Sequence, residues 1–143
     1  MNNCRSIRTL LILALTIAGA QATAQPGVVT GRWSTIDDNT GRKRSVVELS
    51  IENGTLSGRI VDLYDKAKLD KRCTKCAGDR KDQPIVGMEI MRSMKADDAE
   101  WEDGTILDPE TGKVYDCKLW VEDGALKVRG YVAFFYRTQT WIR

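Results

Sequence analysis

The segment Lys71–Gly87 reads KRCTKCAGDRKDQPIVG and places Cys73 and Cys76 three residues apart in a run of charge. Thiols at that spacing can serve three chemistries. Lys71, Arg72 and Lys75 surround them with positive charge, which stabilises a thiolate and would make the pair a reactive or redox couple. Against this, redox motifs of that type sit beside a βαβ pattern, and none flanks the pair. The thiolates could instead be two of four ligands to a metal, with Cys117 as a third, yet the chain holds no histidine and no second C-x-x-C. The third chemistry is a disulfide that tightens a loop in an oxidising compartment. Cys73 and Cys76 are thus disulfide candidates, with reactive thiols and metal ligation as the alternatives. Cys117 falls on an apolar face with Tyr115, Leu119 and Val121 and reads as a small buried hydrophobe.

The missing histidine also excludes Ser-His-Asp and Cys-His catalysis and histidine-ligated metals. No catalytic residue, metal or cofactor is therefore assigned. Asp37–Gly41, DDNTG, lacks the terminal acidic residue of an EF-hand calcium loop and reads as a polar turn. The C-terminal run RTQTWIR gives one further constellation. If Trp141 points inward, the two-residue period of a strand turns Arg137, Gln139 and Arg143 the same way. Charged and amide side chains in an interior are costly unless satisfied. These four are therefore candidates for binding a small anion or carboxylate. The alternative is that they alternate outward at the rim.

The elements that must position these residues are strands. Val28–Thr35, Arg44–Ile51, Thr55–Tyr64, Ile85–Met94, Ala99–Asp108, Lys113–Val121, Ala125–Ala133 and Arg137–Arg143 are short runs divided by turn residues. Tyr115, Cys117, Leu119 and Val121 alternate with Asp116 and Lys118, as a half-buried strand requires. Asn53-Gly54 and Glu122-Asp123-Gly124 are hairpin signals. Tight hairpins pair neighbours antiparallel. The expected fold is all-β, a single antiparallel up-and-down barrel of about eight strands. A two-sheet sandwich competes, but its crossovers need longer connections. The exception is Asp65–Pro84, a loop of about twenty residues between the third and fourth strands, and loops of that length are usually functional or need fastening.

Taken in order, GxWxTxDDxTG (Gly31–Gly41), CxxCxG (Cys73–Gly78), PxxG (Pro84–Gly87), DPxTGKxY (Asp108–Tyr115) and VRGY…RTQTWxR (Val128–Arg143) resemble the bacterial family catalogued as domain of unknown function 2147. The resemblance covers roughly residues 28–143. It implies a secreted, lipocalin-like (calycin) barrel and no established activity. Lipocalins carry Gly-x-Trp near the start of the first strand, with a basic side chain from near the last strand lying across the indole. By that resemblance Gly31 and Trp33 form a structural plug of the barrel, and Arg137 or Arg143 supplies the cation.

Upstream, Arg5 and Arg8 precede the apolar run Leu10–Ala20, and Ala22-Thr23-Ala24 has a small-x-small pattern. This reads as a secretory signal over residues 1–24, cleaved before Gln25. The run is too short to span a bilayer. Cys4 precedes it and so does not mark a lipid-attachment site. Residues 25–143 are then one domain, periplasmic or secreted. Across the whole chain 22 Lys and Arg face 20 Asp and Glu. Removing Arg5 and Arg8 makes the two equal, so net charge gives no reason to expect nucleic acid or an anionic membrane as partner. The expected function is non-enzymatic binding of a small, partly apolar or carboxylate-bearing ligand. The alternative is a thiol-based enzyme or redox protein using Cys73 and Cys76.

Overall fold

Eight strands follow one another around a single sheet in the computed structural model, which describes residues 29–143. The expected signal segment and its cleavage point lie outside the described residues. The strands are β1 (Gly31–Ile36), β2 (Lys43–Glu52), β3 (Thr55–Leu63), β4 (Glu89–Asp97), β5 (Glu100–Asp108), β6 (Lys113–Glu122), β7 (Ala125–Val132) and β8 (Phe135–Trp141). Each pairs antiparallel with the next. The sheet curls until β1 meets the end of β8. There the Ser34 amide donates to the Ile142 carbonyl at 2.6 Å, and the Ile142 amide returns the bond at 3.0 Å. One such bridge makes the barrel nearly closed and excludes the sandwich.

Connection lengths divide the two ends. At one end β2–β3 and β6–β7 turn on Asn53-Gly54 and Asp123-Gly124, with φ of 51° and 76° in both pairs. Two successive positive φ values match the right-handed twist of the strands, so both turns are tight. That end is filled by Trp33, Leu56, Met94, Trp101, Leu119 and Leu126, all buried. The other end carries the β1–β2, β3–β4, β5–β6 and β7–β8 connections and is open.

Two of those open-end turns repeat one sequence. Asp37–Gly41 and Asp108–Gly112 are both Asp-x-x-Thr-Gly. In each, an Asp carboxylate oxygen accepts from the backbone N–H two residues on, at 3.0 Å. The Thr hydroxyl donates to the same carboxylate at 2.9 Å. The Gly amide donates to the Asp carbonyl, at 2.7 and 2.8 Å. The Thr40 amide and hydroxyl, ahead of other contacts, hold the Asp37 carboxyl below its usual range. Asp37–Gly41 is a self-satisfied polar turn, as its composition led us to expect.

The fourth strand begins later than the expected Ile85. Ile85–Met88 is apolar because it packs, not because it joins the ladder there. The Ile85 amide bonds to the Lys71 carbonyl at 2.9 Å and the Gly87 amide to the Ile60 carbonyl at 2.7 Å, while Ile85 and Met88 are buried. The eighth strand begins earlier than expected, at Phe135.

Candidate functional site

At the closed end Trp33 is 1% exposed, and its indole N–H donates to the Val29 carbonyl at 2.8 Å. The Arg143 guanidinium lies 4.2 Å from the ring centroid. It also donates to the Thr30 carbonyl at 3.2 Å. Gly31 has φ +101°, and a Cβ there would stand 3.4 Å from the Arg143 guanidinium. The Gly-x-Trp segment thus admits the cation to the indole face, a contact worth about 0.5–2 kcal/mol. Of the two arginines that could cover Trp33, it is Arg143.

Above this plug the barrel encloses a cavity of about 1150 Å³. Ile60, Ile90, Leu107 and Val128 give it apolar walls, and Trp141 lines its depth. Thr35 and Ser45 are polar wall residues whose hydroxyls bond each other at 2.8 Å. Among the described residues every buried side-chain nitrogen and oxygen has a hydrogen-bond partner. The aliphatic side chains thus give the interior wall an apolar stretch beside Thr35, Ser45 and Gln139, and the charged lining residues lie towards the mouth. Eight Lys and Arg side chains line the cavity against four Asp and Glu.

Arg137, Gln139 and Trp141 all line this cavity, as the two-residue period required. Arg143 does not, because the chain leaves β8 there and turns to the plug. The Gln139 carbonyl accepts from the Trp141 indole N–H at 3.2 Å, and its amide donates to Asp38 at 3.3 Å. Arg137 forms an ion pair with the same Asp38 carboxylate. Asp38 thus ties the β1–β2 turn to β8 beyond the Ser34–Ile142 bridge, and Gln139 orients Trp141. Arg44 spans the mouth in a second tie, bonding Glu110 of the β5–β6 turn at 2.5 Å. Arg42, Lys71 and Lys75 line the mouth and form no salt bridge among the described residues.

Cys73 and Cys76 are joined as a disulfide, with Cα atoms 5.3 Å apart and both residues buried. The long loop doubles back around them. The Cys73 amide donates to the Gln83 carbonyl at 2.9 Å and the Asp82 amide to the Cys73 carbonyl at 3.0 Å. Thr74 and Lys75 then reach the cavity mouth. Gly112, at φ +73°, lets the β5–β6 turn lie against this loop: a Cβ there would fall 2.0 Å from the Lys75 carbonyl oxygen. Cys117 is a buried free thiol, pushed up to about 12 by burial. A thiol so raised is a poor nucleophile. Among the described residues no group of three or more Cys, Asp or Glu side chains is placed to hold a metal ion.

Sequence reasoning missed Asp38, whose partners are about a hundred residues away, and the apolar tip of the β7–β8 hairpin. The second had a visible signal. Phe134 and Phe135 stand side by side at a turn, where polar residues and glycine are the rule.

Comparison with known proteins accords with this architecture. A family model described as an uncharacterized protein conserved in bacteria (DUF2147) matches residues 31–143. Among solved structures, protein HP1028 from Helicobacter pylori, described as belonging to the lipocalin family, aligns with a TM-score of 0.70. The alignment covers 80% of this chain and 81% of that one, at 17% identity, which establishes a lipocalin-like fold. No curated protein matches the chain.

Proposed function

The chain belongs to the bacterial family DUF2147, whose description names no activity, and from that premise we propose that it is a non-enzymatic binding module for a small amphiphile with an anionic head, such as a carboxylate. The observation that carries this reading is the open cavity, with apolar walls below and a net basic mouth above. Such a site buries a ligand's apolar body and holds its head by a few polar contacts. Eight-stranded barrels of this kind have room for one small ligand. Arg137 is a conditional head-group contact, because a ligand carboxylate must compete with Asp38 for it. Arg42, Lys71 and Lys75 have no such ion pair among the described residues.

The module is exported in this reading, to the periplasm or beyond, and residues 1–24 are its cleaved signal. The charge and apolar pattern of that segment supports export, and so does the disulfide, which persists in oxidising compartments. A thiol enzyme finds no support beyond the paired cysteines, both buried.

Native mass spectrometry of protein taken from its own host tests the proposal first. A co-purifying molecule with an acidic group and an apolar chain is expected. The second test titrates a fluorescent fatty-acid probe, which should bind in the micromolar range or tighter and transfer energy from Trp141. Val128→Phe, which fills the cavity, should weaken it at least tenfold. No bound molecule and no saturable probe binding would sink the reading.

A further inference from the structure

We infer that the open end of the barrel docks on an anionic lipid bilayer, with the β7–β8 turn as the inserted tip. Phe134 is 98% exposed, Phe135 79% and Tyr136 63%, and Val132 beside them is also exposed. Val132 and Phe135 are paired across the hairpin with Phe134 at its tip, and the Tyr136 ring beside them lies against Tyr131 and the Arg129 guanidinium. Exposed patches of this kind mark interaction sites. Tyr64, Leu69 and Val114, three more exposed large hydrophobics, sit on or beside the β3–β4 and β5–β6 connections of the same end. Among the described residues only Ile142 lies elsewhere.

The barrel wall excludes deeper immersion. Arg32 and Glu48 pair across β1 and β2, and Lys118 reaches Glu102 at 3.5 Å across β5 and β6. Such a wall belongs in water, so only the end meets lipid.

Charge selects the partner. The mouth beside the tip is net basic, whereas at the closed-end turns Glu52, Asp97, Asp98, Glu122 and Asp123 outnumber Lys95 and Lys127, the latter paired with Glu122. A chain near neutral overall thus has a positive open end and a negative closed one. A negatively charged surface attracts the first and repels the second, orienting the barrel mouth-down. Aromatic rings at head-group depth, flanked by Lys and Arg, are what a bilayer interface accommodates. A protein partner would need a shaped acidic groove for one protruding hairpin, whereas a bilayer needs no prior fit. Docking stands whether or not the cavity holds a ligand. If it does, the mouth faces the lipid phase from which an amphiphile would come.

Co-sedimentation of the purified protein with vesicles tests this. Vesicles containing phosphatidylglycerol should carry the protein down, and vesicles of phosphatidylcholine alone should not. Raising salt from 50 mM to 500 mM should release it, because exposed charges are then screened. Phe134→Ser should lower partitioning about tenfold, from the lost burial of one ring. Its melting curve and fatty-acid probe binding should be unchanged, since Phe134 neither packs in the core nor lines the cavity. No sedimentation with phosphatidylglycerol, or sedimentation indifferent to Phe134, overturns the inference. Concentration-dependent self-association abolished by Phe134→Ser, without vesicle binding, also overturns it and assigns the tip to a second copy of the chain. Loss of probe binding in Val128→Phe with vesicle binding intact separates this inference from the cavity reading.

Discussion

The side chain with most influence on the closed end is Trp33. It is fully buried, its N–H is satisfied and its outer face is covered by Arg143. Trp33→Ala should therefore destabilise by about 3–5 kcal/mol in denaturant melts, as for other large-to-Ala core changes. A loss below about 1 kcal/mol would mean that the indole is not a core residue. Arg143→Gln removes only the cation and should cost about 0.5–2 kcal/mol. Cys117 makes a different, pH-dependent contribution. Burial raises its thiol from 9.0 to about 12, so the fold favours the neutral form. Below pH 9 thiols in both states are protonated and this contribution is fully present. As pH rises from 9 towards 12 the unfolded thiol ionises first, and stability falls. Cys117→Ala should flatten that alkaline decline. In the native protein at pH 8 Cys117 should resist alkylation and react only on unfolding; rapid native labelling would contradict its burial.

Among the elements, the β3–β4 loop differs most from what its length alone would allow. A loop of its length has many conformations, and three fastenings restrict this one: the Cys73–Cys76 bond, the Arg72–Pro84 bridge and the contact with Gly112. The disulfide closes a very short ring, so chain-entropy reasoning gives it little global effect. Cys73→Ala/Cys76→Ala should leave far-UV dichroism unchanged and shift the melting midpoint modestly, while protease cuts within Asp65–Pro84 more readily. A loop that stays equally resistant would show that the fastening lies elsewhere. Gly112→Ala tests the other contact. Its left-handed backbone costs a side chain about 1–2 kcal/mol, and the Cβ collides with the Lys75 carbonyl. The β5–β6 turn must then part from the loop. The expected result is a lower melting temperature together with faster loop proteolysis, a pairing that backbone strain confined to the turn would not produce.

For the whole molecule, the arrangement of charge matters more than its sum. Lys and Arg outnumber Asp and Glu at the mouth despite its two Asp turns, whereas the closed-end turns are acidic, so the same barrel can attract an anion to one end and repel it from the other. Affinity for a fatty-acid probe should fall as salt rises, since the mouth cations are exposed. Lys71→Glu/Lys75→Glu should weaken it several-fold with the melting temperature little changed. Equal affinity at low and high salt would assign recognition to the apolar walls alone.

The strands were legible in the sequence because hairpin turns and two-residue alternation are local. Asn53-Gly54 and Asp123-Gly124 specify their own backbone, and Cys117 and Leu119 declare their face by alternating with Asp116 and Lys118. The disulfide was legible as one of three chemistries, since three residues of separation bring two thiols within reach. Other features depended on where the curled sheet brings distant segments. Both Arg137 and Arg143 satisfied the strand period, yet β8 ends between them: Arg137 meets Asp38 and Arg143 covers Trp33. Ile85–Met88 has a strand's composition but docks as loop, because the backbones of Lys71 and Ile60 provide its partners. The basic mouth was hidden by near-zero net charge, because a sum discards position. By itself the sequence determined which residues alternate and where the chain turns. Only closure of the barrel decided which of them share an end, because that depends on contacts between residues far apart in the chain.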